Sequence, residues 1–484
     1  MRALLGVVLA ALSSFAGAAS AQTSDAARQI DQALAALEPN TKVAGRDYRS
    51  QTLAELMQQR DIPGASIVVF RDGRIVYARG FGLVEAGGTR AITAETLFQA
   101  SSISKPLAAT AALALVEQGR LALDEPVNAR LRAWRIPDSP AAEGEPVTLR
   151  HLLTHTAGLT VHGFPGYPVG TVLPAAPQIL DGAPPANSAA VRIDQRPGMA
   201  WRYSGGGFTV AQLLMTDVTG EPFPELMHRL VLAPAGMAQS TFDQPLPGER
   251  AGAAALGHRG DGSAIVGGYH VYPEMAAAGL WTTPSDLARW ALALSADFNG
   301  RGSGLLRHET AVAMLTPGIG NWGLGIGVAG EGEWLSFSHS GANEGYRALL
   351  TAYPRRGDGI VIMTNSDSGD VLFGPVMLAV SRALGWPHPE PRIITPVAVP
   401  AQALADAAGR YTGFGQSVEV RPNGDKLLAT IANGPPPFDL FPQGDDLYVS
   451  EEGTAIRFVR DAASNRVTGL MVGGATLQRA DDAP

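Results

Sequence analysis

Between Trp322 and Asn365 the chain runs through four short β-rich stretches, GLGIGVAG, WLSFSHSG, YRALLTAYP and GIVIMTNS, with only turns between them. This region constrains the fold more than any other. A connection of a few residues favours antiparallel pairing, because parallel strands need a crossover of a dozen residues or more. A second signal of the same kind lies near the start, in GASIVVFRDGRIVYARGFG, where Asp72-Gly73 marks a hairpin. From about Arg130 to Gly300 the sequence is rich in Gly, Pro and short helical patches. SKPLAATAALALVEQG reads as an apolar helix ending at Gly119. TTPSDLARWALAL reads as a helix capped by Thr282 or Thr283, with Pro284 in its first turn and Asp286 favouring the positive dipole end. DVLFGPVMLAVSRALG is a further helix, closed by Gly385 and Pro387. The expected class is α/β of the α+β type: an antiparallel sheet flanked by helices, plus a helical subdomain.

The two ends read differently. MRALLGVVLAALSSFAGAASAQ has one positive charge, an apolar run and the small residues Ala19-Ser20-Ala21. It predicts a secretory signal over residues 1–21, cut after Ala21. The run from Ala3 to Leu12 is too short for a membrane anchor, so no stable membrane span is expected after cleavage. SDAARQIDQALAAL then has helical spacing, with Ser24 as a cap. Five prolines between Pro387 and Pro400 make 387–402 a stiff extended linker, which sets the preceding domain at 22–386. Residues 403–484 alternate strand-like runs with Asn-Gly and Gly-Asp turns and predict a small all-β domain, a barrel or a sandwich. It holds no histidine and shows no chemistry. The whole chain has no cysteine, so it has neither disulfides nor a thiol nucleophile. A secretory signal without cysteine fits a bacterial periplasmic or secreted protein. The net charge of -8 and the lack of a basic run argue against nucleic acid as a partner.

Of 37 basic residues only three are lysines, Lys42, Lys105 and Lys426. Lys105 stands in ASSISKPLAA, three residues after Ser102. On a helix that spacing puts both side chains on one face. Pro106 is best tolerated in a first turn, so the helix is expected to begin near Ser102, at the positive end of the dipole. A neutral lysine can take a serine proton, whereas arginine keeps its charge. The same residues also suit an ordinary helix start capped by Ser101, with Ser104 a polar residue on the helix face.

Two further stretches carry usable groups. In RPGMAWRYSGGGFTVAQLL, Tyr203 precedes three glycines and a helix; a packing aromatic at a helix entry would look the same. In FSHSGANEGYRALL, His339 lies on a strand-like run before Ser340, Gly341 and Ala342. Gly341 would let a substrate backbone approach the strand edge. A surface histidine before a turn is the plain alternative. Arg347 reads first as a solvent-facing strand arginine, and otherwise as a carboxylate binder. His151 and His155 are four apart, as in zinc helices, but Leu152 holds the place of the glutamate base, so no metal is expected.

Taken together, these elements resemble the serine β-lactamase and penicillin-binding-protein superfamily. The branch is that of class C β-lactamases, D-alanyl-D-alanine carboxypeptidases, D-aminopeptidases and related esterases. Its S-x-x-K, Y-x-N and K-T-G or H-x-G elements appear as Ser102-Ile103-Ser104-Lys105, Tyr203-Ser204-Gly205 and His339-Ser340-Gly341. LLTHTAGL, RPGMAWRYS and AAAGLWTTPSDLARW are similar to family strings, and the likeness spans roughly Ala36 to Gly385. The tail resembles the small, lipocalin-like C-terminal barrel of some members. The resemblance implies a β-lactamase/transpeptidase-like fold and a serine hydrolase that acts through acyl-Ser102 without a cofactor. Lys105 and Tyr203 would share proton transfer, and the Ser102 and Ala342 N–H groups would form the oxyanion hole. His339 would replace the usual lysine, assisting proton movement or binding a substrate carboxylate or carbonyl. Ser340, Gly341 and Gly205 would line the substrate, a small molecule or short peptide. Gly205 stands where an asparagine often contacts the substrate amide, which weakens the case for tight β-lactam recognition. The reading is therefore an esterase or D-peptidase, possible weak β-lactam turnover included. A true β-lactamase, or an inactive protein that binds peptidoglycan fragments or β-lactams, are the alternatives.

Overall fold

The computed structural model describes residues 25–413, 416–432, 434, 436–472 and 475–480. The expected signal and the Ser24 cap lie outside them. The chain after Ser24 is helical over residues 25–34. Two compact units emerge, one built of Pro63–His258 and Ala264–Gly369, the other of Arg28–Ile62, Arg259–Ser263 and the chain from Asp370 onward.

The first unit is organised by one six-stranded antiparallel sheet. Its strands are β1 (Gly64–Arg71), β2 (Arg74–Gly82), β3 (Gly327–Ala329), β4 (Ser336–Asn343), β5 (Tyr346–Tyr353) and β6 (Asp358–Thr364), in spatial order β2-β1-β6-β5-β4-β3. The expected hairpin forms at Asp72-Gly73, both at positive φ. β6 and all of β1 but Arg71 are buried, and these two strands, far apart in sequence, lie side by side within the sheet.

Helices supply the rest of this core. α1 (Ser104–Glu117) has twelve of its fourteen residues buried, so it is a central helix and not an amphipathic surface one. It ends at Gln118, followed by Gly119 at φ +67°. α2 (Gly205–Thr219) is capped by Ser204, whose Oγ accepts the Gly207 N–H at 3.0 Å. α3 (Met275–Ala278) is a single turn beside α1. α4 (Pro284–Phe298) is capped by Thr283, as its sequence predicts. Trp290 on α4 donates its indole N–H to Thr110 of α1 at 3.3 Å, so the two helices are tied inside the core.

In the second unit, eight antiparallel strands from Gly409–Gly413 to Ala475–Arg479 close into a barrel. Tyr411, Leu427, Ala429, Leu440 and Leu470 fill its interior at no exposure. The proline-rich segment is more structured than its composition suggests. Arg392–Ile394 pairs in parallel with Thr41–Val43, the Val397 N–H donates to Pro442 O, and Ala401–Ala407 is helical. Composition foresees stiffness there but not these partners, which come from far along the chain. α5 (Phe373–Leu384) ends at Gly385 in the left-handed conformation. Among the described residues no helix is long and apolar enough to cross a membrane.

Candidate active site

The chain enters the site through Phe98–Gln99, which pairs with Trp281–Thr282. One turn of 3-10 helix, Ser101–Ile103, then leads into α1. The α-helix thus starts two residues later than expected, and Ser101 is not its cap. Instead Ser101 is buried at φ +54°, a region that costs a non-glycine residue about 1–3 kcal/mol. Ser104 is not a helix-face residue either. It is buried, donates to Ser101 O at 2.6 Å and accepts the Leu280 N–H at 3.0 Å. The Ala100 N–H donates to Leu280 O at 2.9 Å. Leu280 therefore grips this turn on both sides of Ser102, which is itself only half-buried.

Lys105 Nζ lies 3.0 Å from Ser102 Oγ and donates to Ala277 O at 2.8 Å. Lys105 is 2% exposed, and burial lowers its pKa to about 7. Without a carboxylate partner, the contacts to Ser102 and Ala277 do not offset the hydration that the charged form loses. Near neutral pH much of this amine is therefore unprotonated and able to accept a proton from Ser102.

Tyr203 is placed by the residues on either side of it. The Ser204 N–H donates to His155 Nδ1 at 3.1 Å, and Ser204 Oγ donates to Thr160 O at 2.8 Å. The imidazole of His155 packs on the Tyr203 ring with centroids 4.3 Å apart. The phenol hydrogen-bonds to the Ser102 side chain, and burial pushes its pKa well above the usual tyrosine range. Lys105 Nζ sits 4.8 Å from the Tyr203 ring centroid. Ser102, Lys105 and Tyr203 thus meet around one oxygen, although 98 residues separate the lysine from the tyrosine.

His339 stands on β4 opposite Leu350 and is 6% exposed. Its ring lies 6.2 Å from that of Tyr203. Nδ1 is 2.6 Å from Ser340 O, so it carries the proton, and Nε2 has no hydrogen-bond partner among the described residues. Burial and then the nearby Lys105 lower its pKa to about 3. His339 is therefore a neutral acceptor, and it does not supply the positive charge that would bind a carboxylate. Ser340 and Ala342 are exposed on the same strand, and Gly341 is buried between them.

Several of these residues have neighbours that local spacing does not reveal. A Cβ on Gly341 would lie 2.2 Å from Ala100 O, so the turn before Ser102 by itself requires a glycine here. Gly205 is buried, donates its N–H to His162 O, and faces Phe164 where a side chain would be. Arg347 is largely turned inward, its Nη1 donating to Asp367 Oδ1 at 2.9 Å and to the Asn343 and Tyr346 carbonyls. His155 lies beyond the helix Leu149–Leu153 at φ +56°, so the i, i+4 zinc geometry does not form.

Sequence reasoning missed the Ala277 carbonyl, the Leu280 grip and the positioning role of His155. It also missed the indoles of Trp201 and Trp322, each beside His155. Only His155 carried a signal, through its place in LLTHTAGL.

The family model described as Beta-lactamase matches residues 49–375. A putative penicillin-binding protein, PbpX, of Bacillus subtilis (strain 168) is 28% identical over 334 residues, 68% of this chain and 76% of the relative. Esterase EstB of Burkholderia gladioli is 34% identical over 199 residues, 39% of this chain and 49% of the esterase. The crystal structure of D-amino acid amidase from Ochrobactrum anthropi SV3, complexed with L-phenylalanine amide, superposes with a TM-score of 0.56. It is 22% identical and covers 75% of this chain and 98% of the amidase, a likeness of fold.

Proposed function

The chain belongs to the beta-lactamase family of serine hydrolases, and from that premise we propose that it cleaves esters or D-residue peptides and amides through an acyl-enzyme on Ser102. The observation that carries this reading is the 3.0 Å contact between Ser102 Oγ and a buried lysine amine whose pKa lies near 7.

In the first step Ser102 Oγ gives its proton to the Lys105 amine, with the Tyr203 phenol bridging. Oγ bonds to the substrate carbonyl carbon, and the oxygen of that carbonyl becomes an oxyanion. Antiparallel pairs alternate between bonded and open positions. Counted from the two-residue turn Glu344–Gly345, Ala342 falls at an open one, with its N–H directed to the uncovered edge of β4. That N–H and the one of Ser102 would hold the oxyanion. Collapse breaks the bond to the leaving group, which departs with the proton that Ser102 gave up. Water then adds to the acyl carbon by the same route in reverse, releasing the acid and restoring Ser102. His339 accepts a hydrogen bond during these steps without changing charge.

The names of the relatives set the substrate range to examine: penicillin-binding proteins, an esterase and a D-amino acid amidase. Location in the periplasm or outside the cell rests on the reading of residues 1–21. The test is a panel of p-nitrophenyl esters, D-alanyl-D-alanine peptides, D-amino acid amides and nitrocefin, compared by kcat/KM for wild type and Ser102→Ala. At least one class should be turned over, and Ser102→Ala should abolish it. Turnover that survives the substitution overturns the reading.

A further inference from the structure

Two features surround the acyl-transfer residues. The first is a run of aromatic rings. Trp201 and Trp322 lie 5.6 Å apart by ring centroids, Trp322 is 6.1 Å from Tyr203, and His339 is 5.4 Å from Trp322. Trp201 is 38% exposed, with Gly320 packed against its indole. Met199 and Ile319, on the segments that carry the two indoles, are exposed as well. A soluble protein seldom places so much apolar surface beside a polar reaction centre without an apolar ligand to meet it.

The second feature is the lack of a spare cation among the described residues of the site. Lys105 is the only non-histidine cation acting on His155, His162 and His339, and it is held by Ser102 and Ala277. Arg347 is held by Asp367 and two carbonyls. Arg202, beside Trp201, is bound to Asp194. His339 presents a lone pair. A substrate carboxylate brought here would lose hydration without gaining a cationic partner, which costs more than an apolar group would.

We infer that the preferred substrates are esters uncharged around the scissile bond, with an aromatic or bulky apolar group that lies along Trp201 and Trp322. This rests on the acyl-Ser102 reading and narrows it, away from peptides that end in a carboxylate. An aromatic group stacked on an indole gains buried area and a favourable ring contact together.

The test compares benzyl acetate, ethyl acetate and 4-(acetoxymethyl)benzoate on the full chain. The leaving alcohols have similar acidity, so differences report binding in the transition state. Wild type should favour benzyl over ethyl acetate by about tenfold or more in kcat/KM, and benzyl acetate over the carboxylate ester by a similar factor. Trp201→Ala should lower the benzyl-to-ethyl ratio by about fivefold. Equal rates on the three esters, or an unchanged ratio in Trp201→Ala, overturns the inference. Labelling of Ser102 by a fluorophosphonate separates the two readings. No label means that the acyl-serine reading fails. A label with no ester preference means that this inference alone fails.

Discussion

Lys105 is the residue on which the site turns. An arginine would fill the space and keep the bond to Ala277, but its guanidinium does not deprotonate at any pH that the fold survives. Lys105→Arg should therefore cut kcat/KM by about 10²–10⁴, the usual contribution of a positioned base. Steady-state kinetics on the best ester would check this, and a rate within threefold of wild type would remove the base from the scheme. The neutral amine is the active form, so kcat/KM should rise about tenfold per pH unit below pH 7 and level off above it. A profile flat from pH 5 to 9 would contradict a lysine titrating near 7. Glu274 makes a separate prediction. It is fully buried, neither carboxylate oxygen has a hydrogen-bond partner among the described residues, and burial raises its pKa to about 7. A carboxyl raised in the folded state contributes stability below its unfolded pKa and loses that contribution as pH rises through the folded value. Glu274→Gln should therefore stabilise the protein relative to wild type at pH 8, by on the order of 3 kcal/mol at most, and have little effect at pH 4. Thermal melts of both proteins at the two pH values would read this directly. An equal effect at both would mean that the fold does not raise the Glu274 pKa.

At the scale of elements, the site depends on β4 lying hard against the turn that carries Ser102. Gly341 is the point of closest approach. Gly341→Ala should push strand and turn apart and lower kcat/KM by about 100-fold, with a melting point lower by only a few degrees. Kinetics and melting on the same preparation would show the disproportion; a normal rate would place the strand elsewhere. Much of this layout was legible in the sequence. Asp72-Gly73 and the turn-divided runs after Trp322 announced antiparallel strands, and Thr283-Pro284 announced α4. What the sequence does not encode locally is who meets whom. Gly341 reads as a gap for a ligand until Ala100 is seen beside it. Gly205 reads as a substrate contact until His162 and Phe164 cover it. Arg347 reads as a solvent-facing strand residue because Asp367 is twenty positions away. Each error concerns a long-range neighbour, and local spacing carries no information about such neighbours.

At the scale of the molecule, the closed barrel is a complete core without site residues. Leu440 is fully buried in it. Leu440→Ala should cost about 2–5 kcal/mol of stability, through the lost side chain and the cavity left behind. Denaturant unfolding checks this, and a change below 1 kcal/mol would mean that the barrel interior is not packed as described. Ser102, Lys105 and Tyr203 converge in the first unit. There, on the proposed mechanism, Ser102 is acylated because Lys105 takes its proton. The most direct measurement is the rate of fluorophosphonate labelling at pH 8, with the modified peptide identified by mass spectrometry, for wild type and Lys105→Arg. The account predicts one label per wild-type chain, on Ser102, and labelling slowed by about 100-fold or more in the variant. A label on another residue, or a variant that reacts at the wild-type rate, would contradict it.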